Sequence, residues 1–320
     1  MTLFLTEADV QRLLPMSAAL EQIEASFLAQ QRTQAVNRPR QRIFLPHASF
    51  HYMAAAWSEK EWVGLKAYTV TPAGMQFVVL LFSAADGNLL AVIEADHLGR
   101  IRTGAASGVA TKFLARPEAS TVGLIGAGRQ ARTQLEAVVS VRKLSVARVY
   151  CRDEGRRREF SREMEQRLGV AVEPAATAEE AARSAGIVIT ATNAREPVLR
   201  GEWLRPGTHL NAIGSNMPNR RELDDAVLVR AGILTVDSVE QARQEAGDLI
   251  QGLPAAGRAW DQLVELREVV AGARPGRRTP EEITLFKSCG LAVWDIAVGG
   301  YVYRQALRQG VGQERRIGES

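Results

Sequence analysis

The segment Thr121-Val122-Gly123-Leu124-Ile125-Gly126-Ala127-Gly128-Arg129-Gln130-Ala131 combines an apolar strand, a glycine turn and a helix start. That combination could hold a pyrophosphate. Gly126 makes the tight turn, Gly128 lets the backbone approach the phosphates, and Ala131 allows close helix–strand packing. The helix N-terminus adds amide donors and a favourable dipole. Gly126, Gly128, Arg129, Gln130 and Ala131 are therefore the expected cofactor-binding residues. An ordinary tight turn in a nucleotide-free α/β domain is the plainer alternative.

Cofactor choice rests on the second strand. NAD-binding folds usually place an acidic residue there, about 20 residues after the turn, to hold the ribose hydroxyls. Here Val149-Tyr150 is followed by Cys151-Arg152, and Asp153 comes two positions late. Arg152, with Arg156, Arg157 and Arg158 behind it, suits a ribose phosphate, because guanidinium forks bind phosphate bidentately. NADP is the expected cofactor and NAD the alternative.

The other polar residues are less informative. His47, His51, His97 and His209 form no metal-ligand spacing, so no metal site is expected. Cys289 has no base near it in sequence, and no Gly-x-Ser-x-Gly elbow occurs.

The elements that must position the glycine turn follow from hydrophobic period. Pro15 to Ala29 has a helical period, with Ala19, Ile23 and Phe27 four apart. Residues 37–60 read as extended and turn-rich. Trp62 to Val70, Met75 to Phe82 and Leu89 to Glu94 read as strands, the last following the turn Asp86-Gly87-Asn88. Ile101 to Ala115 reads as a helix ended by Pro117. Beyond it, strands at Thr121–Ile125, Val146–Cys151, Ile187–Ala191, His209–Ile213 and Ile233–Val236 alternate with helices, which predicts a parallel sheet covered on both faces. Near the C-terminus, Ile283 to Ser288 reads as a strand and Gly290 to Arg308 as a helix weakened at Gly299-Gly300.

With 320 residues, 46% hydrophobic and 24% charged, the chain suits about two globular domains and excludes a disordered or disulfide-framework protein. A net charge of +4 spread along the chain gives no nucleic-acid signature. No apolar run approaches the roughly 20 residues of a membrane span. Two cysteines and an N-terminus without a basic, apolar leader point to a reducing compartment, and a cytoplasmic location is expected.

Several stretches together carry a family resemblance. They are Pro39-Arg40-Gln41-Arg42, Gly64-Leu65-Lys66, Arg102-Thr103-Gly104-Ala105-Ala106-Ser107, the glycine turn, Ala212-Ile213-Gly214 and Glu282-Ile283-Thr284-Leu285-Phe286-Lys287-Ser288. In order and spacing the chain resembles the ornithine cyclodeaminase/mu-crystallin family over nearly its whole length. The resemblance implies an α/β protein: a Rossmann-type nucleotide-binding domain over 116–289, and an α+β substrate-binding and dimerisation domain over 1–115 and 290–320. It implies a homodimer acting on a small α-amino or α-imino carboxylate, with hydride exchanged between a nicotinamide and the α-carbon. Arg42 and Arg102 match arginines that meet the substrate carboxylate, and Lys66 matches the active-site lysine. Arginine forks hold a carboxylate in fixed orientation, and a lysine can polarise an imine or move a proton.

One position departs from the family's ornithine-cyclising members. They carry an aspartate where this chain has Asn216, in Ile213-Gly214-Ser215-Asn216-Met217-Pro218. Asparagine can hydrogen-bond an amine or imine but cannot serve as a carboxylate base. The expected activity is therefore an imino-acid reductase or amino-acid dehydrogenase, with Lys66 and Asn216 as the catalytic pair. Redox-neutral ornithine cyclodeamination and a non-catalytic NADPH-binding role are the alternatives.

Overall fold

The computed structural model of the chain describes residues 1–316. It begins with β1 (Thr2–Leu5), α1 (Glu7–Leu13), α2 (Met16–Gln31), β2 (Ala35–Asn37), β3 (Gln41–Leu45) and β4 (Ala48–Trp57). β5 (Trp62–Thr71), β6 (Gly74–Ser83), β7 (Leu89–Glu94) and α3 (Asp96–Leu114) follow. Next come β8 (Thr121–Ile125), α4 (Arg129–Val141), β9 (Val146–Tyr150), α5 (Glu154–Leu168), β10 (Ala171–Pro174), α6 (Ala178–Arg183) and β11 (Ile187–Thr190). They are followed by β12 (His209–Ala212), α7 (Asp225–Arg230), β13 (Ala231–Val236), α8 (Val239–Glu245), α9 (Gly247–Ala255), β14 (Val264–Glu265) and α10 (Leu266–Val270). The last elements are β15 (Ile283–Lys287), α11 (Ala292–Gln309) and β16 (Gln313–Arg315).

Two compact units divide the chain. One is Met1–Arg102 with the segment from Gly290 onward, and the other is Thr103–Cys289. The first division falls after Arg102, inside α3, whereas the boundary expected from sequence was residue 115. Residues 317–320 of the expected 290–320 segment lie outside the described residues.

In the first unit the strand order is β16-β1-β7-β6-β5-β4-β2, with β3 also paired to β4. Pairing is antiparallel except between β1 and β7. Register sets one row of side chains straight across four strands: Arg42 opposite His51, His51 opposite Tyr68, Tyr68 opposite Phe77. Paired residues share a face and successive residues alternate. Met53, Lys66 and Val79 therefore form the adjacent row on that same face. α11 packs along β4, β5 and β6, so a lysine lies on a core face. The carboxylate of Glu7 accepts the amides of Asp96 and His97 and caps the start of α3, the helix that presents Arg102.

The structure refines two expectations about this unit. The stretch 37–60, expected to be extended and turn-rich, is extended and forms the long hairpin β3–β4. Its period of two is real, with His51, Met53, Ala55 and Trp57 buried while Phe50 and Tyr52 face outward. Apolar Phe50, Tyr52, Ala54 and Ala56 at outward positions and a histidine at an inward one hid that period. Gly299 and Gly300 do not weaken α11, which runs unbroken. A Cβ at Gly300 would lie 2.2 Å from the Trp62 ring, so the glycine is there to admit an indole.

The second unit is the expected parallel sheet, in the order β10-β9-β8-β11-β12-β15-β13-β14. Both faces are covered. Ile187 and Ile189 pack with Val122, Leu124, Ala147 and Val149, whereas Val188 packs with Leu210, Ala212 and Leu234. The chain leaves β8 toward β9 and returns on its other side at β11, so the strand order reverses between β8 and β11. Ligands of doubly wound sheets bind at the carboxyl ends of strands at such a reversal. Among the described residues, no helix is long and apolar enough to cross a membrane.

Candidate active site

Lys66 projects from β5 onto the core face and is 4% exposed. A buried ammonium needs a counter-charge, because desolvation disfavours the charged form. Asp295, in the first turn of α11, supplies it: Lys66 Nζ donates to Asp295 Oδ1 at 2.9 Å. The same oxygen accepts from Arg102 Nε at 3.1 Å. Arg102 also lies over the Trp294 ring, and Lys66 Nζ over the Phe77 ring, at 5.5 and 5.4 Å from the centroids. Burial lowers the Lys66 pKa, Asp295 raises it and Arg102 lowers it again, leaving about 8. This lysine can exchange a proton near neutral pH.

Arg42 stands on the same sheet face, directly across from His51. His51 stacks on Tyr68 with centroids 4.5 Å apart, and its Nε2 lies 2.7 Å from Ser49 Oγ. Burial, then the charges of Arg42 and Arg40, push its pKa down to about 4. The histidine is thus neutral wherever Lys66 titrates. Of the residues expected to hold substrate, Lys66 and Arg102 meet on one aspartate oxygen, and Arg42 shares the Lys66 face of the sheet.

In the second unit the glycine turn has the form expected. Gly126 takes φ +116°, where an L side chain is strained, and a Cβ there would lie 2.4 Å from the Ala191 carbonyl at the end of β11. A Cβ at Gly128 would meet nothing within 4 Å, which leaves room for a phosphate against the backbone. Gly128 is the N-cap of α4, and no side chain caps that helix, whereas Asp153, Thr177, Asp224 and Ser238 cap α5, α6, α7 and α8. Arg129 and Gln130 form the first turn of α4, and Ala131 is fully buried behind it. The strand reversal, the open Gly128 and the uncapped α4 fit a dinucleotide pyrophosphate.

The end of β9 is occupied as follows. The Asp153 side chain accepts the Arg156 amide as the α5 cap. Arg157 lies over the Tyr150 ring and donates to the Cys151 carbonyl. Arg158 pairs with Glu154, and Arg152 and Arg156 are exposed.

Asn216 lies on the loop after β12, and a buried ionic network fixes that loop. Lys287, at the end of β15, donates to the Ser215 carbonyl at 2.7 Å and pairs with Asp248 at 2.8 Å. Asp248 accepts the amides of Glu222 and Leu223. The Glu222 carboxylate in turn accepts from Thr190 and Thr192 hydroxyls and from the amides of Thr192 and Gly214. Burial pushes the Glu222 pKa up while Lys287 pulls it down. For Lys287, burial opposes the charge but Asp248 and its other anionic neighbours outweigh it, and the pKa ends well above the usual lysine value.

Residues 1–310 match the model of the ornithine cyclodeaminase/mu-crystallin family. A Delta(1)-pyrroline-2-carboxylate reductase of Bacillus cereus is 40% identical over 261 residues, covering 79% of this chain and 80% of that protein. The solved structure of Thermococcus litoralis Delta(1)-pyrroline-2-carboxylate reductase, in complex with NADH and L-proline, superposes with a TM-score of 0.94. It is 36% identical and covers 98% of this chain and 100% of its own. An archaeal alanine dehydrogenase dimer with bound NAD gives a TM-score of 0.93 at 34% identity, covering 99% of each chain.

Sequence reasoning missed Asp295, Glu222 and Asp248, and knew Lys287 only as part of a marker stretch. The signal available was an isolated charge inside an apolar run, as in Leu291-Ala292-Val293-Trp294-Asp295-Ile296-Ala297. Glu222 is completely buried, so its removal leaves amides and hydroxyls without an acceptor. Glu222→Ala is expected to cost about 3–5 kcal/mol in urea unfolding, whereas surface Glu202→Ala is expected to be neutral. A Glu222→Ala stability within about 1 kcal/mol of wild type would show that the network does not hold the loop.

Proposed function

The chain belongs to the ornithine cyclodeaminase/mu-crystallin family, and from that premise we propose that it reduces a cyclic α-imino carboxylate of the pyrroline-2-carboxylate type. It is an NAD(P)-dependent oxidoreductase acting on small imino or amino acids. The observation that carries the finer reading is the buried Lys66 held with Arg102 on Asp295 Oδ1. In this reading Arg42 and Arg102 fix the substrate carboxylate, which orients the α-carbon. Lys66, with a pKa of about 8, gives a proton to the ring nitrogen. A reduced nicotinamide bound at the glycine turn supplies the hydride that the α-carbon accepts. Asn216 can hydrogen-bond the substrate nitrogen but takes no proton as an aspartate does, which favours reduction over ornithine cyclodeamination.

The residues at the end of β9 support NADP as the preferred cofactor. Asp153 is engaged as a helix cap, and exposed Arg152 is positioned in sequence for a ribose phosphate. NADH and NAD in the related structures favour the alternative. We also infer a homodimer. Ile43, Phe44, Leu45 and Met75 expose 53, 66, 61 and 52% of their surface, more apolar surface than an isolated sheet edge leaves in water without a use. A second copy of this chain is the occupant that the dimeric alanine dehydrogenase suggests. Cys151 and Cys289, which form no disulfide among the described residues, suit the cytoplasmic location expected from sequence.

Absorbance at 340 nm with cyclic imino acids, and with 2-oxo acids plus ammonia, tests the activity. Imino-acid-dependent oxidation of the reduced cofactor is expected. Lys66→Met should lower kcat at least about a hundredfold, and Arg42→Met should raise KM about tenfold or more. Proline and ammonia formed from ornithine without net change in the nicotinamide would replace this reading by cyclodeamination. Verified cofactor binding without turnover of any substrate would leave a binding role.

Affinities for NADPH and NADH measure the cofactor preference. Wild type should favour NADPH, and Arg152→Asp should reverse or erase the preference; equal affinities in both proteins would refute it. Sedimentation measures assembly. Wild type should run at twice 34.9 kDa and Phe44→Glu at the monomer mass, while a monomeric wild type would remove the dimer.

A further inference from the structure

Asp295 is fully buried, and its two oxygens are used unequally. Oδ1 accepts from both Lys66 Nζ and Arg102 Nε, whereas Oδ2 is buried with no hydrogen-bond partner among the described residues. An aspartate needed only to neutralise two cations would be best satisfied with one on each oxygen. Here the shared oxygen ties the ammonium and the guanidinium to one point.

The surroundings leave Asp295 as the group that keeps Lys66 charged. From β5 the ammonium meets Asp295 on α11, Arg102 on α3, Arg40 ahead of β3 and the Phe77 ring on β6. Arg42 and His51 stand on the same sheet face, and His51 is neutral above about pH 4. Apart from Asp295, the charges acting on Lys66 are arginines, and these favour the neutral amine. The space is equally constrained. A Cβ at Gly99 would lie 2.6 Å from Lys66 Nζ, and one at Gly290 would lie 2.6 Å from an Arg102 terminal nitrogen.

We propose that Asp295 is a positioning residue that locks Lys66 and Arg102 into one fixed arrangement and holds the lysine protonated for imine reduction. This rests on the reductive reading above. A protonated Lys66 is required for reduction, so kcat/KM falls as pH rises through the lysine pKa. Asp295→Asn keeps the shape and removes the charge. The alkaline limb then moves to lower pH by about one unit or more. In the oxidative direction, where the neutral amine is required, the acidic limb moves the same way.

The experiment compares pH profiles of kcat/KM in both directions for wild type, Asp295→Asn and Asp295→Glu. Alongside them, the Lys66 ammonium is titrated by ¹³C NMR of its Cε, assigned with Lys66→Met. Expected are an acid-ward shift of both limbs and of the lysine titration in Asp295→Asn, and a titration near wild type in Asp295→Glu. A uniform loss of kcat with unmoved limbs and an unmoved lysine would reduce Asp295 to a structural ion pair and overturn the proposal. Should Asp295→Asn not fold, an acid-ward Lys66 titration in the charge-retaining Asp295→Glu would overturn it equally. A wild type that reduces no imino acid would sink the functional reading, while the NMR titration would still decide the role of Asp295.

Discussion

A lysine on the core face of an antiparallel sheet is tolerable only if something pairs with it, and the first unit is arranged around that requirement. The pleat gives β5 no choice: with Trp62, Gly64 and Tyr68 facing inward, Lys66 faces inward too. The helix laid over that face must bring an anion, and α11 does so with Asp295 in its first turn. An acid at that end of a helix is also favoured by the dipole. Arg102 then shares the same carboxylate oxygen, so α3 and α11 are registered to β5 by one charged atom. Because burial, the aspartate and the arginine pull in opposite directions, the lysine settles at about 8, within reach of proton transfer at neutral pH.

The second unit solves a comparable problem with more than one acid around its buried lysine. Lys287 is as deeply buried as Lys66, yet its charge is held by Asp248 and the neighbouring Glu222, and it stays protonated. Its partners are spent on backbone amides, including those of Thr192, Gly214, Glu222 and Leu223. The network therefore ties together the loops after β11 and β12. The contrast separates the two buried lysines by role. One is tuned toward exchange by burial and arginine neighbours, and the other is fixed by surplus acid.

What the sequence made legible was whatever repeats with a period or needs a fixed spacing. The parallel strands and the Gly126–Gly128 turn follow from apolar runs and glycine spacing, and the Arg42, Lys66 and Arg102 set came through the family resemblance. The β3–β4 hairpin was illegible because apolar residues such as Ile43, Phe50, Tyr52, Ala54 and Ala56 hold its outward positions while His51 holds an inward one. Asp295 was illegible for a different reason. Its partner Lys66 lies more than two hundred residues away in the chain, and no local pattern couples a lone acid in an apolar helix to a lone lysine in an apolar strand. Only the register of β5 under α11 makes them a pair.

The glycines show the limit of reading residue type without position. Gly299-Gly300 resembles a helix breaker, but in α11 the missing side chain is what lets the Trp62 indole lie against the helix. Gly99 sits inside α3, where alanine would be the better helix former by about 1 kcal/mol. Its place is explained by the Lys66 ammonium, which a Cβ would crowd at 2.6 Å. Gly290 combines both demands, a left-handed φ of +83° and a contact with the Arg102 guanidinium. In α3 and α11 local propensity is sacrificed for the close approach of a large or charged side chain from another element. The two cations of the site thus owe their places to side chains that are absent as much as to the one carboxylate that is present.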